Sequence, residues 1–346
     1  MSLLRKGFVI TRSLILASLC PDGSLPGSPH LEFKRLLDAL ADPDNPLTPH
    51  TELTRHARPL MCGRVDKPTT LMTVLNLTPD SFSDGGANVA GNKELLLENL
   101  EQQLLQKNAM SILDIGGQST RPGASEVSVD EELNRIIPTI ETIRAQSSLD
   151  KLALSVDTYR AAVAEKAVKA GANIVNDVSA GQLDPDMLQT IAKLGCTCIL
   201  MHMRGTPKTM HTLTDYPDGI IEGVGTELNT RVEEAEKAGI RRWRIILDPG
   251  IGFAKTQDQN LEILRRFEEL RKFKGLHSLP WVVGASRKAF IGRITGVQEP
   301  RDRTWGTSAC IVTAVMAGAD VVRVHDVQEM GQVAAMADAI YRVKPG

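Results

Sequence analysis

No apolar run in this sequence approaches the roughly 18 to 20 residues that a membrane-spanning helix requires, so no segment reads as a transmembrane span. Cysteine is scarce. Cys20, Cys62, Cys196, Cys198 and Cys310 are odd in number and form no CxxC pair, which argues against a disulfide framework and against a zinc knuckle. A reducing compartment is the simplest reading of that usage. Aromatic residues are only 4% of the chain, too few for rows of base-stacking platforms. Neither sign of charge dominates. The 40 basic and 42 acidic side chains leave −2, which speaks against a nucleic-acid or anionic-membrane partner while still permitting a local basic pocket. What the chain does have is core material: 42% of its 346 residues are apolar.

The N-terminal 20 residues carry Arg5, Lys6 and Arg12, several hydroxyl residues and no acid. That pattern resembles a mitochondrial presequence, and an ordinary strand-and-helix fragment reads the same way, so cytoplasm and mitochondrion both stay open. Leu31 to Asp42 then gives a short helical period, with Phe33, Leu36, Leu37 and Leu40 on one face. Pro43, Pro46 and Pro49 punctuate a linker-like stretch. The sequence therefore divides into an N-terminal extension, residues 1–65, and a main domain, residues 66–346.

From Leu71 onward, strand-length apolar runs alternate with helical periods. The runs are LMTVL, SILDI, LALSV, NIVN, TCIL, RIIL, WVVGA and DVVRV. They are short, rich in β-branched residues and apolar on both faces, as parallel strands covered by helices should be. Eight such units in about 270 residues predict an α/β fold, a closed (β/α)₈ TIM barrel with a short N-terminal extension. An open doubly wound sheet would carry a glycine-rich phosphate loop after its first strand. None is present.

Polar residues follow the runs. Asn76 follows the first, and the second leads into GGQSTRPG with Thr120 and Arg121. Asp157 ends the third, Asn176 the fourth, and His202 and Asp248 follow the fifth and sixth. Ser286, Arg287 and Lys288 follow the seventh, and Arg323 and His325 end the eighth. Singly, each reads as a turn former or helix cap. In a parallel barrel all strand C-termini open on one face, so the set converges on one mouth. Arg323 and His325, two apart, share one side of a strand just ahead of a helix, an arrangement suited to an anion. Asp157, Asn176 and Asp248 supply acceptors for a flat heterocycle with N–H edges. His202, between two methionines, reads as a packed core histidine.

The ordered set LNLTPDSFSDGG, DIGGQSTRPGA, SVDTYR, NDVSAG, ILMHMRGTP, LDPGIGFAK, GASRKAFIG and VRVHD, spanning about residues 70–340, resembles the dihydropteroate synthase family, the folate-pathway target of sulfonamides. The resemblance implies a transferase that joins (7,8-dihydropterin-6-yl)methyl diphosphate to p-aminobenzoate and releases diphosphate. It implies pterin contacts from Asp157, Asn176, Asp248 and Lys288. It implies diphosphate contacts from Asn76, Thr120, Arg121, Arg323 and His325, and an aminobenzoate cage of Phe82, Pro122 and Lys288. Asn76 matches the ligand of a Mg²⁺ cofactor. Loops 77–91 and 117–128 match mobile lids, and a homodimer through the last helices is implied as well.

Two positions depart from the family pattern. Gln118 stands where bacterial members have Glu, and Ala289 stands where many place a serine against the aminobenzoate carboxylate. A pterin-dependent methyltransferase and a non-catalytic pterin-binding paralogue are the alternative functions. The first has no use for a diphosphate cluster, and intact Asn76, Asp157, Lys288 and Arg323 speak against the second.

Overall fold

The computed structural model describes residues 68–78, 93–105, 110–118, 126–277 and 279–342. The N-terminal extension, its presequence-like segment and the Leu31–Asp42 helix lie outside these, as do Phe82, Thr120, Arg121 and Pro122. Eight strands run in parallel: β1 Thr70–Asn76, β2 Ile112–Gly116, β3 Ala153–Asp157, β4 Ile174–Asp177, β5 Thr197–Met201, β6 Ile245–Asp248, β7 Val282–Val283 and β8 Val321–Val324. The order β6-β5-β4-β3-β2-β1-β8-β7 makes one sheet, and a parallel bridge from Leu247 to Trp281 brings β6 to β7. The expected TIM barrel is the observed fold.

Helices cover the outside: α1 Lys93–Leu104, α2 Val129–Arg144, α3 Ala161–Lys169, α4 Met187–Leu194, α5 Ile220–Lys237, α6 Gln257–Arg265, α7 Phe267–Arg271, α8 Ala289–Thr295, α9 Thr304–Met316 and α10 Val327–Tyr341. Their starts are coded locally. Ser128 caps α2 by accepting from Glu131 N–H, and Thr256 forms a reciprocal capping box with Gln259 at α6. Outward-facing strand residues and inward helix faces merge into one large core. Within it, Phe267 of α7 meets Trp281 edge-on, with ring centroids 5.6 Å apart. Full burial of such a ring contributes about 1.5–3 kcal/mol. The start of β1 is tied to the last helix, because Asp338 accepts from Thr69 N–H at 2.6 Å and from its hydroxyl at 2.7 Å.

Inside the barrel, Met72, Ile112, Ala153, Ile174, Ile199, Ile246, Val282 and Val321 pack as one apolar cluster, one residue from each strand. This floor sets the parity of every strand, because side chains alternate with a period of two. Two residues further along, the inward set includes Asp114, Asn176, Asp248, Gly284 and Arg323. Four further, at the mouth, it includes Asn76, Gly116, Asp157, Ser286 and His325. An apolar floor therefore gives way, ring by ring, to polar and charged chemistry. Cys196 and Cys198 have the opposite parity in their strand and are buried behind it.

Candidate active site

The second ring is built around Arg323. Its Nε donates to Asp114 Oδ2 at 2.7 Å, and its terminal Nη2 donates to Asp157 Oδ2 at 2.7 Å. Asp114 Oδ2 also accepts from Asn176 Nδ2 at 3.0 Å. Asp114, Asn176 and Asp248 are all buried. A Cβ on Gly284 would lie 3.7 Å from Arg323 Cβ and 4.0 Å from Asp248 Oδ2, so glycine at the end of β7 keeps space open between these two groups. On the other side, a Cβ on Gly116 would lie 3.3 Å from Asn76 Oδ1 and 3.7 Å from Asp157 Cβ. The ends of β1, β2, β3, β4, β6 and β8 thus converge on one small volume.

Asp248 is fixed by its own loop. Gly250 N–H donates to its Oδ1 at 2.7 Å, a tight turn that LDPGIGF suggests in the sequence. Gly250 has φ +67°, and a Cβ there would sit 2.0 Å from the His202 carbonyl oxygen, so only glycine closes this turn. The same loop carries half-buried Lys255. Its ammonium donates to His202 Nδ1 (2.9 Å), Gly250 O (3.1 Å) and Phe253 O (2.9 Å). His202 is buried as expected, and its Nε2 donates to Glu227 Oε2 at 3.0 Å. Lys288 Nζ lies 4.3 Å from the centroid of the Phe253 ring, a cation–π contact that brings the β7 loop onto the β6 loop.

Five groups in and beside the ring are perturbed for identifiable reasons. Burial, against the pull of Arg323, raises the Asp157 carboxyl to about 7. Burial also raises Asp248, against the Gly250 N–H bond and the cations Lys288 and Arg323. Burial opposes the charge on Arg323, but Asp114 and Asp157 outweigh it and hold the guanidinium charged. In the adjoining loops, burial lowers Lys255 to about 7 and His202 to about 4. His202 is therefore neutral, and Lys255 at Nδ1 with the Glu227 carboxylate at Nε2 assigns its proton to Nε2.

At the mouth, His325 Nδ1 lies 3.0 Å from Ser286 Oγ. Arg287 has φ +60° and pairs with Asp326, a left-handed residue that turns the chain from β7 into α8. Lys288 is the N-cap of α8 and makes no side-chain cap bond, and Ala289 is the first helical residue. Gln118 Nε2 donates to the Tyr159 hydroxyl at 2.8 Å.

These groups set the acceptors Asp114, Asn176, Asp157 and Asp248 around the cation Arg323. They can grip a planar, N–H-rich ring and hold negative charge beside it. The chain matches the family described as pterin binding enzyme over residues 72–325. The chain belongs to that family. It is 48% identical over 275 residues to the folic acid synthesis protein fol1 of Pneumocystis carinii, covering 80% of this chain and 36% of that protein. It is 45% identical over 276 residues to the dihydropteroate synthase of Synechocystis sp., covering 80% and 91%. Xanthomonas albilineans dihydropteroate synthase, solved with 4-aminobenzoic acid, superposes with a TM-score of 0.68 at 38% identity, over 81% of this chain and 95% of that one. The chain thus spans about a third of the fungal relatives it matches, 36% of each, and nearly all of the single-barrel ones.

For a pterin-binding enzyme, the residues assigned from sequence divide by depth. Asn176, Asp248 and Arg323 share the second ring, while Asn76, Asp157 and His325 stand one step nearer the mouth. Lys288 lies beside them on the β7 loop. Arg323 sits one ring deeper than His325, among the carboxylates. Asp114 is the residue that sequence reasoning missed. It reads as an acid inside the strand SILDI, and the signal for it is parity: it lies two residues past the floor residue Ile112.

Proposed function

We propose that this barrel is a dihydropteroate synthase, condensing (7,8-dihydropterin-6-yl)methyl diphosphate with p-aminobenzoate to give 7,8-dihydropteroate and diphosphate. The observation that carries the reading is the second ring itself: two inward-facing acceptors, Asn176 and Asp248, set beside a guanidinium held charged by Asp114 and Asp157. A synthase needs both recognition of a flat ring and positive charge near its departing diphosphate. A methyltransferase needs only the first.

In this reading Asp248 accepts paired N–H bonds from the amino and ring N–H edge of the pterin, a strong bidentate geometry. Asn176 reads the neighbouring edge, and Lys288 lies over the ring plane. The bond between the 6-methylene carbon and the diphosphate oxygen breaks, and its electron pair leaves with the diphosphate. Ionised Asp157 faces the cation delocalised over the pterin and stabilises it. The aminobenzoate nitrogen then gives its lone pair to the methylene carbon and loses a proton to solvent or to the departing diphosphate. The amine is a neutral nucleophile at pH 7, so the chain supplies orientation and exclusion of water rather than a general base.

Arg323 and His325 serve the diphosphate, with Thr120 and Arg121 from the loop after β2. Phe82, Pro122 and the Lys288 stem hold the aminobenzoate ring. Among the described residues no group of three acidic, histidine or cysteine side chains could cage a metal. A single amide oxygen at Asn76, beside Gly116, suits Mg²⁺, which takes most of its ligands from phosphate and water. Mg²⁺ held there supplies positive charge against the diphosphate oxygens.

The reading extends to a homodimer through the last two helices. Trp305 and Met316, three turns apart on α9, are 85% and 55% exposed, and Met336 and Ile340 on α10 are 63% and 51% exposed. Exposed apolar side chains on these two helices fit a second copy of the chain. The deciding experiment for the reaction is Arg323→Ala assayed for diphosphate release and pterin affinity. Lost turnover is expected; unchanged turnover would contradict the site.

A further inference from the structure

Asp114 is a fully buried carboxylate in a strand whose next inward residue toward the floor is Ile112. Taking a charge out of water costs several kcal/mol, and apolar replacements of buried ion pairs are often neutral or stabilising. Stability alone is therefore a poor reason for an acid here. Its geometry gives a better one. A single oxygen, Oδ2, accepts from Arg323 Nε at 2.7 Å and from Asn176 Nδ2 at 3.0 Å, while Oδ1 is buried with no hydrogen-bond partner.

We propose that Asp114 is a positioning residue of the pterin floor: one carboxylate that sets the orientation of the Asn176 amide and the plane of the Arg323 guanidinium together. The inference rests on the synthase reading above. An amide can present either its oxygen or its NH₂ to a ligand, and the two faces are opposite in chemistry. With Nδ2 committed to Asp114, the Asn176 oxygen is turned away from that carboxylate and serves as an acceptor for a ligand N–H. The guanidinium is likewise fixed along two edges, Nε by Asp114 and Nη2 by Asp157. Asp114 touches no ligand in this scheme; it acts only through these two side chains.

The experiment measures binding of 6-hydroxymethylpterin to the full chain by fluorescence, with thermal melts alongside. Asp114→Asn keeps the shape and can keep its one oxygen where Oδ2 stands, but it removes the charge that assists both bonds and puts a buried NH₂ at the partnerless Oδ1 position. Affinity is expected to fall about tenfold or more, the range of coupling seen within one hydrogen-bonded network. Asp114→Leu, apolar and of similar bulk, is expected to lose affinity as much and to melt lower, because it leaves Arg323 Nε and Asn176 Nδ2 without this acceptor. In an Asn176→Ala/Arg323→Lys background, Asp114→Asn is expected to cost less than about twofold, because the groups it positions are gone or altered.

Equal affinity of wild type and Asp114→Asn would overturn the proposal and leave the synthase reading standing. So would a full loss persisting in the double-variant background, or failure of both Asp114 variants to fold, which would make the residue part of the core. A wild-type chain that bound no pterin would remove both readings.

Discussion

Asp157 carries a measurable conflict between stability and function. Burial raises its carboxyl from the ordinary value of 3.8 to about 7, even with Arg323 at 2.7 Å, and Asp114, Glu132 and Lys288 also act on it. Because the folded-state value lies above the unfolded one, the folded state binds the proton more tightly. The contribution is favourable at low pH and is lost as pH rises through about 7. Between pH 5 and pH 8 this amounts to roughly 3 kcal/mol, at 1.36 kcal/mol per pH unit over the two units below 7. Asp157→Asn removes that titration while keeping an oxygen for the Arg323 bond. Denaturant unfolding of both proteins at pH 5 and pH 8 checks it. The variant should gain on wild type by about 3 kcal/mol in moving from pH 5 to pH 8. Pterin affinity should move the other way: wild type should bind more weakly as pH falls below 7, and Asp157→Asn should lose the part of that limb that belongs to Asp157. A stability difference between the two proteins that did not change with pH would refute the reasoning.

Three further outcomes follow from the geometry. Gly250→Ala puts a Cβ 2.0 Å from the His202 carbonyl oxygen at φ +67°, so it should cost more than about 2 kcal/mol in denaturant unfolding and weaken pterin binding by disturbing Asp248. Asn76→Ala should raise the Mg²⁺ concentration needed for half-maximal turnover while leaving pterin affinity intact, and a chelator should suppress turnover of wild type; titration of Mg²⁺ in a diphosphate-release assay reads both. Trp305→Glu, at a residue 85% exposed, should shift sedimentation from dimer to monomer without lowering the melting temperature of the barrel.

Much of the barrel was legible because its strands are both short and apolar on both faces. SILDI, LALSV and RIIL all lie within one residue of the observed β2, β3 and β6. WVVGA shrank to Val282–Val283, since Gly284 has no side chain to pack and Pro280 precedes the run. Depth was the harder quantity. Arg323 and His325 were read correctly as sharing a side, but nothing in VRVH says that the arginine lies one ring lower, against two carboxylates. In NIVND, sequence alone does not separate Asn176, which faces the site, from Asp177, which faces outward and accepts from Ser179 and Gly181 N–H groups. Only the register against the apolar floor decides it. Asp114 stayed hidden for the same reason: an acid inside an apolar run has no local signal, and its partners lie 62 and 209 residues away.

The most direct measurement is product formation by the purified chain given the dihydropterin diphosphate, p-aminobenzoate and Mg²⁺. Equimolar 7,8-dihydropteroate and diphosphate, both abolished by Arg323→Ala, are the predicted result. A folded chain that bound pterin yet released no diphosphate in the presence of the amine would contradict the account.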